Sequence, residues 1–544
     1  MKRTLITAVL FVIALSLSAD IGDSLIIQTF TFEDIEKRRD VFEFPNDERT
    51  WEKIWMHRTL KCDEQTKQDT FPCGEWDYCT HTLLHIPVGD TVEIFEMENY
   101  ITPYGIGLDL NGDCGWTFIY DVTDYYPLLK GKVDLSSGSQ SELLDMKFIF
   151  MEGTPPRDVI SVENIYEWGN YKYEHIATDS IFKEQEIVLN PNADGFKLRA
   201  RISGHGHEGP RNCCEWDRKT HTYFVNGYVL TRWQIWKNCG DNPIYPQGGT
   251  WQFDRAGWCP GTPVDTYDFE LTDIFSPGDT IMFDYGIEMY CDNGEKDGYF
   301  RQCHQLFSYG KPNFKSNAEV YDIIAPSDKN GYSRINPICK DPQIVIRNSG
   351  DKTLRTLKIT YGLEGEESFE FTWNGLLEFT QKDTIILPNI DWQDFSNTTF
   401  FAECSQPNGM TDEYPHNDYL SSKVVAPETL PNIFYLHIEV QGLGRAKQNA
   451  FFITNDVGGI LYEKESFEDN EIYEELIELE TGCYELRIID RAEDGMIKHW
   501  WYRSSQPELV GENGKIEILD EEKNLLKRLK YDFAEEEIFR FRVE

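Results

Sequence analysis

The sequence predicts an all-β protein built from sandwiches placed side by side. Three observations carry that reading. Runs of strand length, alternating or rich in β-branched and aromatic residues, recur throughout, as in "TVEIFEMENYITPY", "KFIFMEG", "THTYFVNGYVLTRW" and "CYELRIIDR". Gly, Asn, Asp and Pro punctuate these runs at short intervals, as turns between strands require. Two stretches, "CGEWDYCTHT" from Cys73 and "CCEWDRKTHT" from Cys213, agree at seven of ten positions at a constant offset of 140. A repeat at that spacing is the signature of a duplicated sandwich. Helical periodicity is scarce, and "EEKNLLKRLKYDF" near the C-terminus is its best local candidate.

The elements follow in chain order. Residues 1–19, "MKRTLITAVLFVIALSLSA", join Lys2 and Arg3 to an apolar run and small residues, the pattern of a secretory signal peptide. The run is short for a membrane anchor and no Cys follows it, so the expected location is secreted or periplasmic, without lipid attachment. The offset repeat assigns residues 20–165 to one sandwich and 166–320 to the next. Residues 321–428 read as an immunoglobulin-like sandwich, with a turn at Asn348-Ser349-Gly350-Asp351. Past the Pro-containing linker "VVAPETLPN", residues 429–544 read as a last strand-rich sandwich.

Composition narrows the function. Of 544 residues, 40% are apolar and 14% aromatic, enough for several cores, and the formal net charge is −42. A surface that acidic repels phosphate backbones and anionic membranes, so neither nucleic acid nor membrane insertion is expected. Thirteen cysteines leave at least one thiol unpaired within the chain. Their spacings, like those of the histidines, match no zinc template, so no metal and no cofactor are expected.

Four places can carry chemistry. On a strand, Glu75 and Asp77 share one face and Trp76 takes the other, and Glu215, Trp216 and Asp217 repeat the arrangement. "RISGHGHEGP" brings His205 and His207 among glycines, which suits either a metal pair or a turn that lets a ligand approach the backbone. His81 and His221, each flanked by Thr, read as packed histidines. "WQFDRAGWCPG" joins Arg255 to Trp258, an aromatic wall for a sugar ring or a core filler, with Cys239 and Cys259 as disulfide partners pinning the loop. Glu152 ends an apolar strand before a Gly-Thr-Pro-Pro turn. "DLNGD" at Asp109 and "DNGEKDG" at Asp292 lack a full calcium ligand set and read as turns.

Read in order, "CGEWD", "NYITPYGIG", "DVTDYYPLL", "RISGHGH", "CCEWDRKTHT", "NCGDNP" and "DRAGWCPG" resemble the peptide-N-glycosidase F family over about residues 50–265. The resemblance implies two eight-stranded antiparallel jelly-roll sandwiches with a site between them. It implies a metal-independent amidase that cuts the bond between asparagine and the innermost N-acetylglucosamine of N-glycosylated peptides and proteins, acting as a monomer. It places Asp77 on the principal catalytic aspartate and Glu215 on the second essential carboxylate. Ungapped matching of the third acid falls on Met151, and Glu152 is assigned with a bulge to restore its face. Arg255, Trp216 and Trp258 fall on residues of the glycan cleft, with Trp76 and His205 beside them. Cys62 and Cys73 are the remaining disulfide candidates. The chain departs from the family at Tyr78, His205, Asp217 and Gly153 and in the segment between Cys62 and Cys73. These positions leave the tolerated glycan open, and Asp217 obliges Cys213 to pair elsewhere or stay free. A copper monooxygenase on a similar double sandwich, or a glycan-binding module without catalysis, are the alternatives.

Overall fold

The computed structural model describes residues 23–33, 37–62, 77–105, 108, 115–138, 142–207, 209–272, 274–291, 298–390, 392 and 398–544. The side chains of Cys62, Glu142 and Pro210 are not among those described. The first unit comprises β1 (Ser24–Gln28), β2 (Arg39–Phe44), β3 (Trp51–Cys62), β4 (Cys79–Val88), β5 (Thr91–Ile101), β6 (Trp116–Asp121), β7 (Gly131–Ser136) and β8 (Glu142–Glu152). They form two four-stranded sheets, ordered β1-β8-β3-β6 and β2-β7-β4-β5. Every second residue of β3 and β8 points inward, so Ile54, Met56, Leu144, Met146, Phe148 and Phe150 are fully buried.

The second unit repeats the plan with β9 (Arg157–Lys172), β10 (Gln185–Val188), β11 (Gly195–His205), β12 (Thr220–Val225), β13 (Tyr228–Gln234), β14 (Thr266–Glu270), β15 (Thr280–Ile287) and β16 (Tyr299–Pro312). Its sheets are ordered β10-β15-β12-β13 and β14-β11-β16-β9. The duplicated Thr-His-Thr sits on β4 in one unit and β12 in the other, third in its sheet order both times. The boundary expected at 165/166 falls inside β9, which pairs with β16 from Arg157 to Lys172 through several bulges and so opens the second unit at Arg157.

The third unit starts at β17 (Ala318–Ala325), paired with β18 (Gln343–Asn348), slightly before the expected residue 321. It continues with β19 (Leu354–Leu363), β20 (Phe369–Leu377), β21 (Lys382–Ile386), β22 (Thr399–Ser405) and β23 (Tyr419–Lys423) in sheets β17-β18-β21 and β20-β19-β22-β23. The last unit contains β24 (Glu428–Leu430), β25 (Ile433–Glu439), β26 (Asn449–Asn455), β27 (Ile460–Lys464), β28 (Ile472–Glu478), β29 (Gly482–Asp490), β30 (Lys515–Leu519), β31 (Leu525–Arg528) and β32 (Glu536–Val543). Its sheets are β24-β32-β29-β26-β27 and β28-β25-β30-β31. The segment with the best helical pattern forms β31, because pairing with β30 satisfies its backbone in a way that an isolated short helix would not. The Cys339–Cys483 disulfide joins the third unit to the fourth. No helix among the described residues is long and apolar enough to cross a membrane.

Candidate functional site

Neither Asp77 nor the second Glu-Trp-Asp copy lies on a strand as the alternation argument expects. Asp77 occupies a bend two residues before β4, and Glu215-Trp216-Asp217 lies in a turn before β12. Asp77 has φ +32°, in a region that aspartate tolerates better than most residues. Glu75, Trp76 and Cys73, and with them the expected Cys62–Cys73 bond and Trp76 glycan contact, lie outside the described residues.

Arg255 organises what is described. Its side chain is fully buried, and its Nε donates to Glu215 Oε1 at 3.1 Å. Nη1 donates to the Phe253 carbonyl at 2.7 Å, and Nη2 to the Thr250 carbonyl and hydroxyl, both at 2.9 Å. Nη2 also reaches the Tyr104 hydroxyl at 3.2 Å. The guanidinium lies 4.3 Å from the Trp216 ring centre and 4.9 Å from that of Trp258. A planar cation saturated in this way is rigid, so it holds Glu215 in one orientation.

Asp77 joins this group from the other sandwich. Burial pushes its carboxyl up to about 6, the negative charge of Glu215 adds to the rise, and Arg255 and a hydrogen bond with Tyr104 oppose it. A carboxyl raised in this way beside a second carboxylate is the signature of an acid–base site at neutral pH. Tyr104 thus contacts both Arg255 and Asp77, a role that sequence reasoning missed. Its only signal was its place in "ITPY".

The loop carrying Arg255 is anchored along its length. The Cys239–Cys259 disulfide closes it, with Cα atoms 5.5 Å apart. Asp254 accepts from the Cys239 amide and from Trp236 Nε1, at 3.1 and 3.0 Å. Gly249, at φ +73°, lies against Tyr104, where a Cβ would meet the ring at 2.7 Å. Gly204 has another use than admitting a ligand, since a Cβ there would stand 1.9 Å from the Cys214 carbonyl oxygen. Gly204 and Gly209 admit the chain's own Cys213–Cys214 turn. Those two cysteines form a disulfide with each other, which answers where Cys213 pairs.

Three expected site residues have other surroundings. Trp258 is 1% exposed and donates from Nε1 to the Gly204 carbonyl at 2.7 Å, so it supports Arg255 from beneath and presents no open wall. His205 is buried and stacked between Trp258 and Tyr299 at 5.2 and 5.5 Å. Burial holds its imidazole well below the usual histidine range, and Nε2 is 2.7 Å from Ser203 Oγ, which leaves no open face for a glycan. His207 is exposed, so the two imidazoles do not share a site. Glu152 lies elsewhere. A bulge does occur there, on β3 between Trp51 and Lys53, but the register pairs Glu152 with Trp51 and Met146 with Arg58. Arg58 donates to Thr80, three residues from Asp77. Glu152 is therefore about 20 Å farther along β8, at roughly 3.3 Å per residue. It lies near Arg49, at 3.7 Å, beside the Gly153 turn that receives Tyr414 from the third unit.

The histidines flanked by Thr are packed side chains. His81 Nδ1 is 2.6 Å from Glu96, and His221 Nδ1 is 2.6 Å from the Tyr285 hydroxyl. Among the described residues, no group of three or more His, Cys, Asp or Glu side chains is arranged to hold a metal ion. The two loosely calcium-like stretches lie almost wholly outside those residues.

Known proteins are similar to part of this chain. Residues 172–306 match the family model described as peptide-N-glycosidase F, C terminal. Peptide-N(4)-(N-acetyl-beta-D-glucosaminyl)asparagine amidase F of Elizabethkingia miricola is 29% identical over 274 residues, 48% of this chain and 74% of that protein. A crystal structure of peptide-N(4)-(N-acetyl-beta-D-glucosaminyl)asparagine amidase is 26% identical, covering 53% of this chain and 96% of that one, with a TM-score of 0.45. PNGase F, a glycosylasparaginase from Flavobacterium meningosepticum, shows the same identity and coverage with a TM-score of 0.43. The chain is thus similar to peptide-N-glycosidase F over about half of its length.

Proposed function

We propose that the protein is an exported, monomeric amidase that hydrolyses the bond between asparagine and the innermost N-acetylglucosamine of N-linked glycans. The products are aspartate and a glycosylamine. The observation that carries this reading is the meeting of Asp77 from the first sandwich with Glu215 and Arg255 from the second. An amide has a weakly electrophilic carbonyl and a poor nitrogen leaving group, so its hydrolysis needs both an activated water and a proton donor. A carboxyl poised near pH 6 suits that exchange. Asp77 activates the water or polarises the linkage. Glu215, oriented by Arg255, positions the substrate or the proton path. The reaction uses carboxylates without a metal.

A defined N-glycopeptide incubated with the protein, with and without EDTA, tests this by mass spectrometry. Conversion of Asn to Asp in both samples is expected. Conversion abolished by EDTA would transfer the chemistry to a metal, and bound glycan without conversion would leave a binding module.

A further inference from the structure

The fourth unit reaches the Arg255 loop at several points. Asp532 accepts from Trp251 Nε1 at 2.7 Å and from the Gly248 amide at 2.9 Å, and Glu537 accepts from the Tyr245 hydroxyl at 2.7 Å. Ala534 is fully buried with Tyr104 and Trp251. Trp501 meets Phe253 edge to face at 5.7 Å, and Phe253 meets Trp216 in the same manner at 6.4 Å. A cleft of about 640 Å³ lies between these parts, with Trp216, Trp236, Gln252 and Phe253 on one side and Ala492 and Glu493 of the fourth unit on the other.

Gln252 is the group in this cleft that the fold leaves unexplained. Its side chain is 3% exposed, and neither its amide oxygen nor its amide nitrogen has a hydrogen-bond partner. A buried amide without partners costs stability, and natural cores rarely retain one without a use. Its donor and acceptor sit side by side, as do the groups they complement on a sugar ring: adjacent hydroxyls, or the two ends of an N-acetyl group. The indole and phenyl rings around it supply apolar faces for the ring itself. Glu493, exposed at the rim, accepts from hydroxyls and repels a carboxylate. Trp216 lines this cleft and also packs against Arg255, so one side chain touches both the cleft and the guanidinium that holds Glu215.

We propose that this cleft is a subsite for a neutral hexose or N-acetylhexosamine of the glycan beyond the scissile linkage, with the Gln252 amide as its specificity-determining group. The identity of the ligand rests on the amidase reading. The fourth unit is then half of the binding site and the clamp that sets its width.

Calorimetry on the full chain with a free neutral high-mannose N-glycan tests the subsite without turnover. Gln252→Leu keeps the volume and removes no existing hydrogen bond, so its melting temperature should stay level or rise while Kd for the glycan rises about tenfold. Glu493→Gly suits the backbone at φ +61°. It should weaken the neutral glycan about threefold and narrow the preference over a sialylated one. No binding by the wild type, or equal binding by Gln252→Leu, overturns the proposal. Weakened binding in Gln252→Leu from a protein that releases no glycan would keep the subsite and remove the amidase reading. Glycan release with KM unmoved by Gln252→Leu would do the reverse.

Discussion

The two copies of Glu-Trp-Asp began as one element and ended in different environments. In the second copy the aspartate is committed to ion pairs: Arg211 reaches Asp217 at 2.9 Å, and Lys219 contacts both Asp217 and Glu288. The free functional group there is Glu215, aimed by the Arg255 guanidinium. In the first copy it is the aspartate that turns toward Arg255, and burial with Glu215 nearby lifts its carboxyl to about 6. The duplicated segment thus places an acid raised by burial on one side and an oriented carboxylate on the other. What separates the copies is the partner each carboxylate finds.

Substitutions that exchange or erase this asymmetry should differ widely in effect. The largest is expected for Asp77→Asn, with kcat/KM on an N-glycopeptide falling at least about 100-fold. Near wild-type turnover would remove Asp77 from the chemistry. The same variant should be more stable than the wild type above pH 6. A raised carboxyl keeps its proton in the folded chain between about pH 4 and 6 while the unfolded chain has lost it, so wild-type stability falls as pH rises through that window. Asparagine escapes that loss, which amounts to about 3 kcal/mol. Denaturant melts of both proteins at pH 4 and pH 8 measure the difference.

Arg255→Leu leaves Glu215 without its partner and should cost about 3 kcal/mol of stability along with most turnover. Urea titration and glycopeptide assay report the two losses. The pH profile of kcat/KM comes next, with an inflection expected near pH 6 that vanishes in Asp77→Asn. The smallest effects belong to the carboxylates outside the cluster. Asp217→Asn should lower the melting temperature while changing turnover by no more than about twofold. Glu152→Gln should do neither to a measurable degree, and a large loss of turnover there would break the placement of Glu152 away from the site.

Much of this was legible in the chain. Alternating runs and turn residues marked the strands, and the 140-residue offset marked equivalent strands in two sandwiches. The Cys239–Cys259 pair and the packed histidines His81 and His221 followed from the same local reasoning. Glu152 did not, because a strand-end carboxylate looks the same in sequence whichever end of the sandwich it occupies. Trp258 looked like a wall for a sugar and is buried against Arg255, and His205, expected beside the glycan cleft, is stacked between Trp258 and Tyr299, since sequence does not show which face of an aromatic ring is covered. Tyr104 is marked only by its place in "ITPY", and Gln252 carries no local mark. Their significance comes from groups 151 residues away and from a bare amide at the floor of a cleft.

By itself, then, the sequence determined the fold class, the duplication and the residues competent for acid–base chemistry, because strand periodicity and residue type are local properties. Only the tertiary structure decided that Arg255 pairs with Glu215 while Asp217 turns to Arg211 and Lys219, that Tyr104 joins Arg255, and that the last sandwich forms one side of the adjoining cleft. Burial, charge proximity and hydrogen-bond partnership arise between segments far apart in the chain, and those quantities set what a carboxylate can do.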